Sequence, residues 1–114
     1  MLDITNHRAN LLNFCHPALR RVMDYDQAHD SELMDTLFIY LQNSGNTRRS
    51  AKMLSLHKNT LLYRMGRIRE ILGCDLSSGE DCFMLQVSFR VLLYLDLFKP
   101  RVRLDRSDLH KSDA

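Results

Sequence analysis

A chain of 114 residues, 45% hydrophobic and 26% charged, fits one small domain with a single core. Its three cysteines, Cys15, Cys74 and Cys82, are odd in number and contain no C-x-x-C pair, so neither a disulfide framework nor a zinc finger is indicated and a reducing compartment is expected. The net charge of +2 is unevenly spread: residues 1–46 and 73–98 each carry −3, residues 47–72 carry +6 and residues 99–114 carry +2, so one electropositive face is expected rather than a uniformly basic surface.

Residues 1–16 place Leu2, Ile4, Leu11, Leu12 and Phe14 where they could line a short helix, but Asp3, Asn6 and Asn10 dilute the pattern, which predicts a partly ordered lead-in. The opening MLDITNHRAN lacks the basic-then-apolar plan of a signal peptide. No apolar run approaches the roughly 20 residues of a bilayer span, so a cytoplasmic protein without membrane contact is expected. Pro17 suits a helix's first turn, and Ala18, Leu19, Val22 and Met23 continue at helical spacing to about Asp26. Asp30 or Ser31 can cap the next helix, with Glu32 and Asp35 in the first turn, where the helix dipole favours negative charge. Its apolar stripe is Leu33, Leu37, Ile39, Tyr40 and Leu41, and Asn43, Ser44 and Gly45 end it.

Asn46 or Thr47 caps a helix to about Leu54, with Ala51 and Leu54 facing inward and Leu56 in the following turn. A longer helix follows over residues 58–72, stopped by Gly73 in the left-handed cap position. Ser77 to Asp81 read as a loop in which Ser78 and Asp81 resemble a capping box. The helix that it opens, from about 80 to 98, is apolar on nearly every side, as expected of an element either deeply buried or shared with a partner chain. Residues 99–114 form a charged tail with little apolar patterning, expected to be disordered. The fold expected is all-α, a small helical bundle over residues 17–98 that contains a helix-turn-helix.

Between residues 47 and 72 seven basic residues face the single acid Glu70. At about 100° per residue, Leu61, Met65, Ile68 and Leu72 define the core side of the 58–72 helix. Asn59, Tyr63, Gly66 and Glu70 then point away from the core, Arg67 lies to one side, and Lys58 and Thr60 sit in the exposed first turn. Asn bonds adenine bidentately, Arg and Lys bond guanine and a Thr methyl meets thymine, so Lys58, Asn59, Thr60, Tyr63 and Arg67 are the candidate base readers. Thr47, Arg48, Arg49 and Lys52, on the helix that crosses the backbone in such motifs, are candidate phosphate contacts. His57 joins them as a cap or phosphate neighbour, and Arg64, on the flank of the core, either clamps a phosphate or pairs with an internal acid. Glu70 would repel phosphate, so contact should fade in the last turns. Gly66 costs about 1 kcal/mol relative to alanine inside a helix; close approach to DNA or to another helix would account for it, as would tolerance.

A basic face on one helix of a bundle is more often merely solvated. Here the short-helix, turn, long-helix plan, the polar start of the second helix and the confinement of acids elsewhere together favour specific duplex DNA, with a protein-interaction module or RNA binding as the alternatives. The run GNTRRSAKMLSLHKNTLLYRMGRIREILGCDL resembles the C-terminal helix-turn-helix domain of the PucR/CdaR-type bacterial transcriptional regulators through Ala51, Leu54, His57, Lys58, Asn59, Thr60, Leu61, Tyr63, Arg64, Ile68 and Leu72. Weaker likeness extends from about Leu33 to Leu95. The resemblance implies a transcriptional regulator, often an activator of a catabolic operon, with sensory domains N-terminal to this one. Ser55 stands where many helix-turn-helix turns carry glycine.

No enzymatic activity, cofactor or metal is expected. His57 has no second ligand at metal spacing, and Cys15 and His16, being adjacent, cannot face each other across a helix. The expected partners are duplex DNA and a second copy of the chain, joined through the 80–98 helix.

Overall fold

The computed structural model describes residues 4–101, which form six helices and, among the described residues, no strand. They are α1 (Ile4–Leu12), α2 (Leu19–His29), α3 (Leu33–Gln42), α4 (Thr47–Met53), α5 (Lys58–Leu72) and α6 (Gly79–Tyr94). The lead-in thus contains a helix, α1, which packs on α6, with Leu11 across a shallow groove from Val87 and Val91.

The bundle is built around α3. Leu33, Met34, Asp35, Thr36, Leu37, Phe38 and Ile39 are buried without a break, and the helix touches α2, α4, α5 and α6. A helix surrounded by neighbours can be apolar on every side. Its polar members are satisfied: Thr36 Oγ1 donates to the Glu32 carbonyl at 2.9 Å, and Asp35 accepts the Arg101 N–H at 3.4 Å. Burial pushes the Asp35 carboxyl above the usual carboxylate range, against the pull of that N–H.

The cap of α3 corrects the sequence expectation. Neither Asp30 nor Ser31 caps it; the N-cap is Glu32, whose side chain makes no capping bond. The oxygens that satisfy the helix start belong to Asp26, which accepts from Leu33 N at 2.9 Å, Met34 N at 2.8 Å and Ser31 Oγ at 2.6 Å. The reason is that α2 runs past Asp26 to His29 and turns at Asp30, whose left-handed φ of 50° swings α3 back under the Asp26 carboxylate.

The last helix is not deeply buried on every side, the first of the two origins expected for its all-round apolar pattern. Ser78 caps α6 as its spacing predicts, its Oγ accepting Asp81 N at 3.3 Å. The helix ends at Tyr94, and Asp96, at φ 60°, turns the chain back so that Phe98 packs 5.5 Å from Phe38 and 5.2 Å from Phe89. Only Leu85, Ser88, Phe89 and Leu92 of α6 are buried; the apolar residues beyond that stripe serve α1, the returning chain or solvent, with Phe83 and Tyr94 exposed. Ser88 takes the His16 N–H at 2.6 Å, while His16 itself reaches Asp81 at 3.4 Å, so the linker ahead of α2 is tied to α6. Of the charged tail, residues 99–101 are described and Arg101 ion-pairs with Glu32 at 3.1 Å; the expectation for residues 102–114 and that for residues 1–3 fall outside the described residues.

Candidate nucleic-acid interface

Helices α4 and α5 pack on each other and against α3. Asn46 opens α4, its side-chain oxygen accepting Arg49 N at 2.9 Å, and Ser50 and Ala51 are the buried residues that let α5 cross closely. The turn between them is carried by Ser55 in the left-handed region at φ 55°, with Leu56 N bonded to Ala51 O at 2.8 Å. A serine thus adopts the conformation for which glycine is the usual choice. His57 caps α5 through Nδ1, which accepts Asn59 N at 3.1 Å, so the ring proton sits on Nε2. Leu61, Met65, Ile68 and Leu72 are buried as periodicity predicts, and Gly73, at φ 74°, closes the helix. Arg21 of α2 adds a donor to the Leu72 carbonyl at 3.2 Å.

The predicted site residues fall into two sets. Lys58, Asn59 and Thr60 are exposed, Tyr63 is 73% exposed, and among the described residues none of the four side chains has a hydrogen-bond or ionic partner. On α4, Arg48 and Lys52 are exposed in the same way, whereas Thr47 and Arg49 are half-buried. The rear of α5 is different. Arg64 donates to Thr36 Oγ1 at 3.3 Å and stands 3.9 Å from Glu32, the internal pairing that its flank position left open. Arg67 donates through Nε to the Tyr25 hydroxyl at 3.3 Å, lies 5.6 Å from that ring's centroid and pairs with Glu70 at 3.2 Å. These hydrogen bonds, first to Tyr25 and then to Glu70, push the guanidinium still further above its usual range. Arg69 donates to Asp75 O at 3.0 Å and to the Tyr40 hydroxyl at 3.4 Å.

Tyr25, Tyr40 and Glu32 are the residues that sequence reasoning did not connect to this helix. No local signal was available, since Tyr25 and Arg67 are 42 positions apart and Tyr40 and Arg69 are 29 apart. At Gly66 an added Cβ would meet nothing within 4 Å, so among the described residues no helix approaches there. Burial pushes the Cys15 and Cys82 thiols above their usual value, which disfavours the nucleophilic thiolate. No group of three His, Cys, Asp or Glu able to hold a metal occurs among the described residues, and no helix of theirs is long and apolar enough to cross a membrane.

Residues 33–91 match the family of PucR C-terminal helix-turn-helix domains. The chain is 29% identical over 96 residues to the DNA-binding transcriptional activator AdeR of Bacillus subtilis, covering 84% of this chain and 22% of that protein. Over 96 residues it is 33% identical to the proline-responsive transcriptional activator PutR of the same organism, covering 84% of this chain and 21% of PutR. The purine catabolism regulatory protein of Bacillus subtilis is 30% identical over 82 residues, 72% of this chain and 15% of that protein. The chain therefore spans about a fifth of the length of the first two relatives. No solved structure gives a significant match.

Proposed function

The chain belongs to the family of PucR C-terminal helix-turn-helix domains, a DNA-binding regulatory domain of transcriptional regulators, and from that premise we propose how it reads duplex DNA. Helix α5 enters the major groove with its first two turns leading, and Lys58, Asn59, Thr60 and Tyr63 meet base edges, with Arg67 at the rim. Thr47, Arg48, Arg49 and Lys52 of α4, with His57 through its Nε2 proton, contact phosphates and set the register. Arg64 would have to leave Glu32 and Thr36 to reach a phosphate, so its role is to brace α5 against α3.

The observation that carries this reading is the open front of α5: exposed donors and acceptors, at groove-reading spacing, with no intramolecular partner among the described residues. Side chains already committed to neighbours would have to break bonds before reading a base; these do not. Two copies related by a two-fold axis would place α5 helices in successive major grooves about 34 Å apart. The exposed Phe83 and Tyr94 on α6 support that face as the contact between copies. The parent protein is proposed to carry sensory domains N-terminal to this one and to act in the cytoplasm.

Selection of bound duplexes from a random pool tests the reading. One enriched motif, bound more tightly than random duplex and single-stranded RNA at fixed salt, is the expected outcome; equal binding to all three would sink specific readout. An enriched motif with a single half-site, bound by one chain, would remove the two-fold assembly and leave the reader in place.

A further inference from the structure

We propose that Tyr25 is a positioning residue for DNA recognition: from α2 it holds the Arg67 guanidinium at the rim of the recognition face, so that this arginine meets the duplex already ordered. The inference rests on α5 being the groove-entering helix. It extends the interface to a residue outside the 33–91 stretch that carries the family match.

Two contacts join the pair, the Nε–H donated to the phenol oxygen at 3.3 Å and the guanidinium carbon 5.6 Å from the ring centroid. Tyr25 is itself held in place. Its ring packs against the core, and His29, one turn on, stacks on it at 4.0 Å with 18° between the planes. The His29 Nδ1 is in turn bonded to the Tyr25 carbonyl at 3.0 Å. Arg67 remains 45% exposed along its side chain, and its bonds to Tyr25 and Glu70 use two of the five guanidinium donors, leaving three for a base edge or a phosphate. A long side chain that is free in solution loses rotamer freedom when it binds, and one already held by a ring and a hydroxyl loses less. Glu70 alone could not supply this, because an exposed ion pair between neighbouring turns leaves both side chains mobile.

The test uses the full chain and a duplex enriched from a random pool, titrated by fluorescence anisotropy with single-base variants of that duplex. The proteins are the wild type, Arg67→Ala, Tyr25→Leu, Tyr25→Phe and the double variant Tyr25→Leu with Arg67→Ala. Leucine keeps apolar packing at the position while removing both ring and hydroxyl, so folding is retained, and circular dichroism checks it. Arg67→Ala is expected to flatten the preference at one base position by roughly tenfold. Tyr25→Leu should flatten the same position by roughly threefold or more, Tyr25→Phe should fall between it and the wild type, and the double variant should match Arg67→Ala alone. The proposal is overturned if Tyr25→Leu weakens all duplexes equally, if it leaves the preference intact, if its effect adds to that of Arg67→Ala, or if Arg67→Ala alters no position. A wild type that prefers no duplex is a different failure, that of the α5 reading itself.

Discussion

The two halves of α5 both carry polar side chains on their outer side and use them in opposite ways. From Lys58 to Tyr63 the outward side chains stand in solvent without partners among the described residues, whereas Arg64, Arg67 and Arg69 are each tied to residues outside α5. Arg64 reaches the start of α3, Arg67 the middle of α2, and Arg69 both the loop after α5 and Tyr40 near the end of α3. The difference teaches that positive charge on a recognition helix is not one resource. In the proposed reading its front presents donors to the duplex, while its rear is bonded to α2 and α3.

The largest expected effect comes from the floor that both halves share. Leu61 is fully buried directly beneath the open half, and Leu61→Ala should destabilise the domain by about 2–5 kcal/mol, read as a lowered midpoint in thermal or urea unfolding. The braced rear and the open front should melt together in one transition. Loss of DNA binding with an unchanged unfolding midpoint would show instead that the front frays by itself, and the division would then be one of stability rather than of commitment.

A sharper contrast comes from Asn59→Ala, Arg48→Ala and Arg64→Ala. Asn59 is exposed on the open half, so its removal should cost about 1–3 kcal/mol of discrimination between the enriched duplex and a single-base variant while the unfolding midpoint stays put. Arg48→Ala should weaken all duplexes alike and shallow the slope of log affinity against log salt by about one unit. Arg64→Ala should do the reverse of Asn59→Ala: it removes a donor to the buried Thr36 and should lower stability by about 1 kcal/mol with base preference retained. If Asn59→Ala and Arg64→Ala behave alike in both measurements, front and rear are not distinct.

Much of this helix was legible in the sequence, because its boundaries rest on local chemistry. The His57 and Gly73 ends, the Leu61, Met65, Ile68, Leu72 floor and the outward Asn59 and Tyr63 all follow from spacing and cap preference. What periodicity could not supply was commitment. An angle of 40° from Tyr63 placed Arg67 in the groove by about 100° per residue, yet its bonds to Tyr25 depend on how α2 crosses α5. The same limit applies to the Asp26 cap of α3, supplied by the preceding helix across a turn, where local rules pointed to Asp30 or Ser31. The C-terminal bound of α6 was misplaced for a related reason, since Phe98 is a partly buried ring that packs against the core from the returning chain and does not belong to the helix.

The smallest expected effect marks where the open front ends. Gly66 lies between Tyr63 and Arg67, and an added methyl there would meet nothing within 4 Å. Gly66→Ala should therefore stabilise the free protein by about 0.5–1 kcal/mol, since the helix gains alanine's propensity without a clash. At roughly 4–8 °C per kcal/mol for a domain of this size, the gain is visible in a thermal melt. If the duplex approaches the helix as closely as this gap allows, the same methyl should lower affinity for the enriched duplex severalfold, a loss of binding in a protein that has become more stable. A more stable variant with unchanged affinity would place the edge of the DNA contact at Tyr63, leaving Gly66 with the braced half of the helix.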